Sequence, residues 1–402
     1  MHLVFMSVSA ELGGSETVLA ALVRGMRGLH PDWRLTCVLP RQGPLESRLQ
    51  SAGADVLVLP IPPALLRLGE SSGATPLARG AGLLGAAAAV GGYTRRLRTL
   101  FARLEPDVIH SNGFKLHVLA ARARPSETPL VWHIHEYVGR RALTRRLLHR
   151  YRHSASLAVT NSKSVERDLA QAVGLDLPIR TVYNAVDLNA FSPDGPVANL
   201  DAGVSPAPEG TVRIGLVATF GRWKGHEVFM RAIARLATVR PIRGYVVGGP
   251  VYDTAGSQYT LEELQALARG LGIGDRLVFT GVVDPIAPVL RALDVVVHAS
   301  TQPEPFGLVI AEAMACGRTV IVSGAGGATE IVCAGRDALV HTPGDVESLA
   351  SALSGAIDDP GLRTRLSAAA RSSARARFDA ARFAREFDDI YQFLAQPAAI
   401  HA

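Results

Sequence analysis

The stretch Leu3–Leu29, LVFMSVSAELGGSETVLAALVRGMRGL, passes from a short apolar run to a longer amphipathic one. Leu3–Val8 is typical of a buried strand, and Glu16–Leu29 carries apolar residues at helical spacing. The Gly13-Gly14 pair between them is typical of a tight turn. The stretch therefore predicts a strand–turn–helix unit, which is the building block of a parallel sheet covered by helices.

The same alternation continues along the first half of the chain. Helical stretches such as Thr94–Leu104 and Thr144–His153 lie between short runs rich in β-formers. These runs are Leu35–Leu39, Val56–Leu59, Val108–His110, Val131–His135 and Leu157–Thr160. Repeated units of this kind predict right-handed strand–helix–strand connections around one parallel sheet.

The alternation stops around residues 187–211, where proline and glycine are frequent, and then restarts. The second round predicts strands at Arg213–Ala218, Gly244–Val247, Arg276–Phe279, Val295–His298 and Thr319–Val322. It predicts helices at Glu227–Ala237, Leu261–Gly270, Ile286–Ala292, Val309–Cys316 and Val346–Ile357. We therefore expect two doubly wound domains, at 1–190 and 211–379, joined by a linker at 191–210. Ligands of such sheets bind beyond the carboxyl ends of the strands, so a cleft between the two domains is the expected site.

The composition favours a globular protein, since 48% of the 402 residues are hydrophobic and 19% are charged. The three cysteines lack the spacing of a disulfide framework or a zinc site, which favours a reducing cytosol. Residues 1–6 lack the basic start of a signal peptide, and the apolar run Ala81–Val90 is too short to span a bilayer. We expect a cytoplasmic protein without a transmembrane helix.

The net charge of +6 comes largely from arginine clusters before residue 153. They form either a solvated helix face or a surface that attracts an acidic partner, such as anionic lipid or a phosphorylated acceptor. No nucleic-acid-binding motif accompanies them, so nucleic acid is discounted as a partner. The clustered residues are Arg95, Arg96, Arg98, Arg103, Arg140, Arg141, Arg145, Arg146, Arg150 and Arg152.

The segment with the clearest chemistry is Glu304-Pro305-Phe306-Gly307-Leu308-Val309-Ile310-Ala311-Glu312, which follows a predicted strand and leads into a helix. The unpaired amides of a helix start bind phosphate. The two flanking carboxylates can accept hydrogen bonds from sugar and ribose hydroxyls. The alternative is a pair of solvent-facing glutamates near a helix cap.

A second segment, Gly221-Arg222-Trp223-Lys224-Gly225, places two cations at the carboxyl end of a predicted strand. Fixed cations stabilise the charge that grows on a diphosphate leaving group as its bond to a sugar breaks. Arg222 can bind such a group through two hydrogen bonds, whereas Lys224 acts as a point charge. Two exposed basic residues in a loop are the alternative.

Histidines and glycines at strand ends of the first domain complete the candidates. His133 and His135 lie two apart on a strand and therefore share a face, and His110 ends an earlier strand. Gly14 lies in the turn before the first helix, where a glycine lets the backbone approach a ligand. A structural role is the alternative for each.

Three motifs of other enzyme classes are absent from the sequence. There is no D-x-D sequence, which holds a metal and a diphosphate in one class of sugar transferases. There is no P-loop lysine and no G-x-S-x-G nucleophile turn. With Arg222 and Lys224 available to the diphosphate, we expect no metal and no other cofactor.

The string Glu304–Glu312 resembles the E-x7-E signature of the large family-4 retaining glycosyltransferases. The resemblance runs through the chain in the expected order. Its other segments are Gly13–Glu16, Pro106–His110, Trp132–Glu136, Thr160–Ser162, Tyr183–Asp187 and Gly221–Gly225. The chain departs from many members in the short loop between Arg222 and Lys224.

The resemblance implies an α/β protein of the GT-B fold, with two Rossmann-like domains that face a central cleft. It also implies that the C-terminal helix, at 380–402, crosses back to complete the N-terminal domain, whereas the pattern alone also allowed it to finish the second domain. The implied activity is that of a retaining, metal-independent hexosyltransferase. The second domain would bind the nucleotide diphosphate sugar and the first would supply the acceptor.

The resemblance also implies roles for the candidate residues. Arg222, Lys224 and the amides of Phe306–Leu308 hold the diphosphate, and Glu312 holds the ribose. Glu304 contacts the sugar.

Four further residues receive roles or positions in the same way. His135 contacts the sugar and Glu136 takes the acidic position after it. Val283 lies near the base, and Gly14 approaches the donor.

The identities of donor and acceptor stay open at this point. A UDP-linked hexose is the first expectation and GDP-mannose the next, with a lipid-linked acceptor, a saccharide or a cell-envelope precursor. Peripheral association with the inner face of an anionic membrane is expected from the arginine clusters. The alternatives are a nucleotide-sugar epimerase of the same architecture and a non-catalytic sugar-nucleotide binding protein.

Overall fold

Apolar runs bounded by glycine and polar residues form the strands of two parallel sheets. The computed structural model describes residues 1–66, 76–250 and 256–396. The chain divides into two units, Met1–Ala185 together with the C-terminal segment from Ala380, and Val186–Asp379. The fold class predicted from the sequence is confirmed, since each unit is a Rossmann-like α/β domain with its own sheet.

The sheet of the first unit has seven parallel strands in the order β3-β2-β1-β4-β5-β6-β7. The strands are β1 (His2–Ser7), β2 (Arg34–Leu39), β3 (Asp55–Val58), β4 (Val108–Asn112), β5 (Leu130–Ile134), β6 (Leu157–Thr160) and β7 (Ile179–Thr181). The helices that cover it are α1 (Gly14–Leu29), α2 (Pro44–Ser51), α3 (Pro63–Leu66), α4 (Pro76–Leu104), α5 (Phe114–Ala123), α6 (Ala142–Tyr151) and α7 (Lys163–Val173). The predicted apolar run Ala81–Val90 is therefore part of α4, although the side chains of residues 81–86 lie outside the described part.

The sheet of the second unit has six parallel strands in the order β10-β9-β8-β11-β12-β13. The strands are β8 (Val212–Val217), β9 (Ile242–Val247), β10 (Leu277–Gly281), β11 (Val295–His298), β12 (Thr319–Ser323) and β13 (Leu339–His341). The helices are α8 (His226–Ala237), α9 (Leu261–Gly270), α10 (Ala287–Ala292), α11 (Leu308–Ala315), α12 (Ala328–Ile331), α13 (Val346–Asp358) and α14 (Pro360–Arg377).

The last helix, α15 (Ala380–Ala395), belongs to the first unit and packs against α1. Its apolar face enters the core around β1, with Phe383, Phe387 and Tyr391 buried. The amphipathic pattern therefore crosses back to the first domain, as the resemblance implied. Residues 397–402 of the predicted helix lie outside the described part.

The segment predicted to link the domains belongs to the second unit and is bound to its sheet. The buried carboxylate of Asp201 accepts hydrogen bonds at 2.9 Å from Arg213 on β8 and from Arg243 on β9. It also accepts one from the Tyr245 hydroxyl at 2.8 Å. A buried carboxylate with several donors is well satisfied, so this part of the chain is held in place.

Among the described residues, none of the helices combines the length and the apolar character that a membrane span requires.

Candidate functional site

The site of the second unit is built on two neighbouring strands. β8 and β11 pair in the middle of the sheet, with Ile214 opposite Val295. In a parallel sheet their carboxyl ends lie at the same edge. The loops that follow them, 218–225 and 299–307, therefore meet there, and these loops carry the predicted residues Lys224 and Glu304.

Lys224 and Glu304 form an ion pair across this edge. The Lys224 ammonium donates to both carboxylate oxygens of Glu304 at 2.9 Å. The two side chains are only 19% and 11% exposed. A pair so shielded from water is stronger than one at the surface, and removing one partner would leave an uncompensated charge.

Two further side chains complete the environment of Glu304. The Ser300 hydroxyl donates to its Oε2 at 2.9 Å, and Nε2 of His298 lies 3.3 Å from the same oxygen. Both residues are buried and precede Glu304 on β11 and its loop. Sequence reasoning missed them, although their positions at a strand end, in the run HASTQPE, were the available signal.

The electrostatics keep Glu304 ionised. Burial alone would raise the pKa of this carboxyl, but the Lys224 charge and the His298 hydrogen bond outweigh it and lower the pKa to about 2. The site therefore presents a permanent, balanced pair of charges at the strand ends.

Arg222 follows β8 as predicted, but its side chain turns toward α9. Its guanidinium pairs with Glu263 at 2.9 Å and lies 4.3 Å from the centre of the Tyr259 ring. The side chain is 43% exposed. Arg222 is thus exposed two residues before Lys224, in a loop where Gly225 takes a positive φ of 80°.

Helix α11 begins shortly after Glu304. Gly307 is its N-cap and Leu308 its first residue, so the amides of the predicted phosphate-binding segment open the helix. Phe306 is buried and packs edge-on against Phe378, with ring centres 5.9 Å apart. This packing anchors the start of the helix.

Glu312 lies one turn further along α11 and is half-buried. No hydrogen-bond or ion-pair partner of its carboxyl is found within the described ranges. Burial raises its pKa to about 7. The pKa values of the two carboxyls of the motif are therefore shifted in opposite directions, since the described residues give Glu312 no compensating charge like that of Lys224 beside Glu304.

Val283 lies in the turn after β10, where the sequence predicted the base. It is half-buried, whereas its neighbour Val282 is 72% exposed. The nearby Gly249 backbone lies against Val282, because a Cβ on Gly249 would come within 2.9 Å of it.

In the first unit, the predicted glycine turn opens α1. Gly13 is the N-cap and Gly14 the first residue. A Cβ on Gly14 would meet no atom within 4 Å, so the protein leaves the space above this position open. Glu16 is buried, which raises the pKa of its carboxyl, and it accepts a hydrogen bond from the Ser15 hydroxyl at 2.8 Å.

His135 follows β5 and is held by two asparagines. Its Nε2 lies 3.0 Å from Oδ1 of Asn112, at the end of the neighbouring strand β4. Its backbone carbonyl accepts a hydrogen bond from Asn161 at 3.3 Å. Burial lowers the pKa of His135 to about 4, so the ring is neutral at pH 7. Sequence reasoning did not single out Asn112.

His133 and His110 lie behind His135 in the core. Nδ1 of His133 is 3.2 Å from Nε2 of His110, whose Nδ1 is 2.7 Å from the Tyr391 hydroxyl on α15. Both histidines are buried, and burial lowers the pKa of His110 to about 3 and the pKa of His133 well below its usual range. These two predicted candidates therefore form the wall behind His135. Glu136, the next residue, is exposed and paired with Arg141.

Family models match both units. Residues 12–190 match the model described as Glycosyltransferase Family 4, and residues 211–359 match the model described as Glycosyl transferases group 1. The chain carries the two domains of a family-4 glycosyltransferase. The resemblance stated from the motifs is thereby confirmed.

Curated relatives have the same kind of name. D-inositol 3-phosphate glycosyltransferase of Stackebrandtia nassauensis is 34% identical over 229 residues, which are 55% of this chain and 50% of that protein. The lipopolysaccharide core biosynthesis mannosyltransferase LpcC of Rhizobium leguminosarum is 31% identical over 55% of this chain and 61% of its own length. The matched segment thus spans about half the length of the first of these relatives.

Solved structures resemble the whole chain. The crystal structure of Anabaena Alr3699/HepE in complex with UDP has a TM-score of 0.78 at 25% identity, and the match covers 98% of this chain and 100% of that one. Sucrose-phosphate synthase from Thermosynechococcus elongatus has the same TM-score at 20% identity, which shows the fold alone. The match covers 98% of this chain and 99% of the synthase.

Proposed function

We propose that the protein is a retaining hexosyltransferase that uses a nucleotide diphosphate sugar as donor and needs no metal ion. The observation that carries this proposal is the Lys224–Glu304 ion pair at the carboxyl ends of β8 and β11, directly before the amides that open α11. A cation and a helix start at one strand edge are the elements that stabilise a leaving diphosphate.

Each candidate residue is assigned to the part of the donor that its chemistry suits. The Lys224 ammonium and the amides of Phe306–Leu308 receive the diphosphate, and the exposed Arg222 guanidinium swings from Glu263 to join them. Glu312 accepts hydrogen bonds from the ribose hydroxyls, which supply partners that the described residues do not give its carboxyl. Two side-chain cations and oriented amides take the place that a metal ion has in other transferases.

In this proposal, Glu304 and His135 are the residues that contact the sugar. Glu304 is engaged by Lys224, His298 and Ser300, which makes its carboxylate a poor nucleophile. This favours a reaction on one face of the sugar, in which the leaving phosphate accepts the proton of the incoming hydroxyl. The configuration of the anomeric carbon is then retained.

A UDP-linked hexose is the proposed donor and GDP-mannose the next choice. Alr3699/HepE was solved with UDP and with UDP-glucose, and it resembles this chain over nearly its full length. The mannosyltransferase LpcC is a relative over part of the chain. Gly14 and Val283 are proposed to lie against the donor, the latter beside the base.

The acceptor is proposed to be lipid-linked or otherwise anionic, and helix α6 supports this choice. Leu143 and Leu147 are 52% and 38% exposed on α6, and Arg146 and Arg150 are exposed beside them. Exposed apolar residues flanked by arginine are suited to the surface of an anionic membrane. We propose peripheral attachment to the cytoplasmic face through this helix.

A thermal-shift screen of UDP, GDP, ADP and dTDP tests the donor site. A nucleotide that binds only the folded protein raises its Tm, by about 2.7 kcal/mol of stabilisation at a hundredfold excess over Kd. We expect the largest shift with UDP, and a strongly reduced shift in Lys224→Met. No shift with any of the four nucleotides would contradict the proposal.

Vesicle sedimentation tests the membrane surface. Binding to vesicles that contain phosphatidylglycerol should fall between 50 and 500 mM salt, conditions chosen to span about a threefold change in screening length. Leu143→Ser with Leu147→Ser should weaken it. The absence of binding at low salt would remove the membrane from the proposal.

A further inference from the structure

The ring of His135 offers one of its two nitrogens to the surroundings, and the neighbours decide which one. Nε2 faces Oδ1 of Asn112 at 3.0 Å. The other half of the same amide, Nδ2 of Asn112, donates to the backbone carbonyl of Met6 on β1 at 3.4 Å. A flipped amide would place its oxygen against the Met6 carbonyl oxygen, so two acceptors would face each other. The Met6 carbonyl therefore fixes the amide orientation.

Since Oδ1 of Asn112 only accepts, Nε2 of His135 must carry the proton. The ring is neutral because burial lowers its pKa to about 4, so it has one proton to place. Nδ1 then carries a lone pair. The described residues provide no hydrogen-bond partner for this atom, and the side chain is half-buried with part of its surface accessible.

The wall behind the ring holds this arrangement in place. Tyr391 has no other hydrogen-bond partner within the described ranges, so its buried hydroxyl donates to Nδ1 of His110. His110 consequently donates from Nε2 to Nδ1 of His133, whose ring centre lies 3.9 Å from that of His135. The His133 N–H at Nε2 has no partner in hydrogen-bonding geometry. The described residues of this wall therefore donate no hydrogen bond to the lone pair on Nδ1 of His135.

We propose that Asn112 is a positioning residue, which holds the proton of His135 on Nε2 so that Nδ1 accepts a hydrogen bond from a hydroxyl of the bound sugar. This role rests on the function proposed above, and it assigns a direction to the contact that the motif leaves undefined. A histidine held this way accepts and does not donate, so it selects a hydroxyl at that point of the ligand.

The tautomer can be measured without substrate. Long-range ¹H–¹⁵N spectra of protein labelled with ¹⁵N-histidine distinguish the two neutral tautomers, and His135→Gln assigns the signal among the 12 histidines. We expect the Nε2–H form for His135 in the wild type. Asn112→Leu removes the acceptor and should yield a mixture of tautomers. An Nδ1–H signal in the wild type would overturn the proposal.

Kinetics on the same variants separate positioning from stability. We expect Asn112→Leu to lower kcat at least tenfold and to change KM for the donor less than about threefold, because the lost contact acts on the reacting sugar. Ser111→Ala is the matched control, since it removes a buried polar group from the same strand without contact to His135. It should lower Tm with little change in kcat. Wild-type kcat and tautomer in Asn112→Leu would contradict the role.

Asn112→Asp keeps an acceptor and adds a charge, so it serves if the leucine variant does not fold. The carboxylate should preserve the Nε2–H tautomer but raise the pKa of His135. The acid limb of kcat/KM should then move up by about one pH unit or more, since the protonated ring cannot accept. An unmoved limb would contradict the proposal. The titratable groups around the ring are His133 on β5, His110 on β4, His117 on α5 and Tyr391 on α15, with Glu136 and Arg141 paired beside it.

These measurements distinguish the two ideas. Failure of the wild type to transfer sugar from any nucleotide sugar would contradict the proposed function. The tautomer of His135 and its dependence on Asn112 are read in the protein without ligand, so they decide the positioning role by themselves.

Discussion

The strand ends of the two units prepare polar sites in opposite ways. In the second unit, the carboxyl ends of β8 and β11 lead to Lys224 and Glu304, and the Lys224 charge helps to keep the Glu304 carboxylate ionised. In the first unit, His110 within β4, His133 within β5 and His135 directly after β5 stay neutral because burial disfavours the imidazolium form. The difference matches the two parts of the proposed donor, since a diphosphate needs charge and a sugar needs oriented hydrogen bonds.

The Lys224–Glu304 ion pair of the second unit can be disrupted by neutralising its carboxylate. Glu304→Gln leaves the Lys224 ammonium without its counter-charge, and we expect sugar transfer to fall about 100- to 1,000-fold. The loss of one partner of a shielded pair should also cost about 3 kcal/mol of stability. Steady-state kinetics and thermal unfolding measure the two effects.

The matched control for this change is Glu263→Gln, which neutralises the exposed partner of Arg222. Exposed pairs contribute little, so transfer and Tm should change only slightly. Equal losses in the two variants would show that burial of the Lys224–Glu304 pair does not matter.

Two glycines allow the effect of a substitution on stability to be distinguished from its effect on donor binding. A Cβ on Gly225 would lie 1.9 Å from the Ala299 carbonyl oxygen, so Gly225→Ala should destabilise the protein by roughly 3 kcal/mol or more. Gly14→Ala meets open space and should leave Tm unchanged or slightly raised. If the donor approaches this turn, Gly14→Ala should nevertheless lower kcat/KM at least about tenfold. Full activity of Gly14→Ala would remove Gly14 from the donor site.

The neutral half predicts sensitivity to acid. The pKa of His110 is lowered to about 3 in the folded protein, whereas its ordinary value is 6.5. Between these two pH values the unfolded chain therefore binds a proton that the folded protein does not bind. Stability is therefore lost as the pH falls from about 6.5 toward 4, with a slope of up to about 1.4 kcal/mol per pH unit for each such histidine. Urea unfolding followed by tryptophan fluorescence at several pH values measures this slope.

Replacing one of these histidines sharpens the same prediction. His110→Gln removes one proton-binding group from the unfolded state, so the decline in stability with falling pH should become shallower. An unchanged slope would show that the histidines of this wall do not govern the acid sensitivity.

The smallest expected effect concerns Glu312. Its pKa of about 7 should fall when ribose hydroxyls donate to the carboxylate, so nucleotide binding releases a proton. As the pH rises from 5.5 to 7, the Kd for the nucleotide should decrease by up to tenfold per pH unit. This decrease adds to the one caused by deprotonation of the nucleotide phosphate. Calorimetry on Glu312→Gln isolates this contribution, because the variant retains only the titration of the phosphate. Identical pH profiles for variant and wild type would contradict the assignment.

The sequence predicted the elements that alternate strongly and the motifs at their ends. It missed the edge strands β7 and β13, which have three residues each and too little length for a clear pattern. The chain order also did not show that β8 and β11 are neighbours, and this pairing is what brings Lys224 to Glu304 across eighty residues.

Hydrogen-bond partners that lie outside recognisable motifs also could not be predicted from the sequence. Asn112 and Tyr391 act on the histidines through contacts between elements that are far apart in the chain. A pattern reports which face a residue takes, whereas a hydrogen-bond partner depends on how two elements pack. The same reason explains why His298 and Ser300 were not recognised beside Glu304.

The most direct test of the proposed sugar transfer is ¹H NMR of a hexose-linked donor, chosen by the nucleotide that raises Tm most, during incubation with the protein and candidate acceptors. We predict release of the nucleoside diphosphate and a product whose anomeric coupling matches that of the donor, with slow hydrolysis of the same configuration when acceptor is absent. An inverted anomeric signal, an epimerised nucleotide sugar, or a donor that stays unchanged with every acceptor would contradict the account.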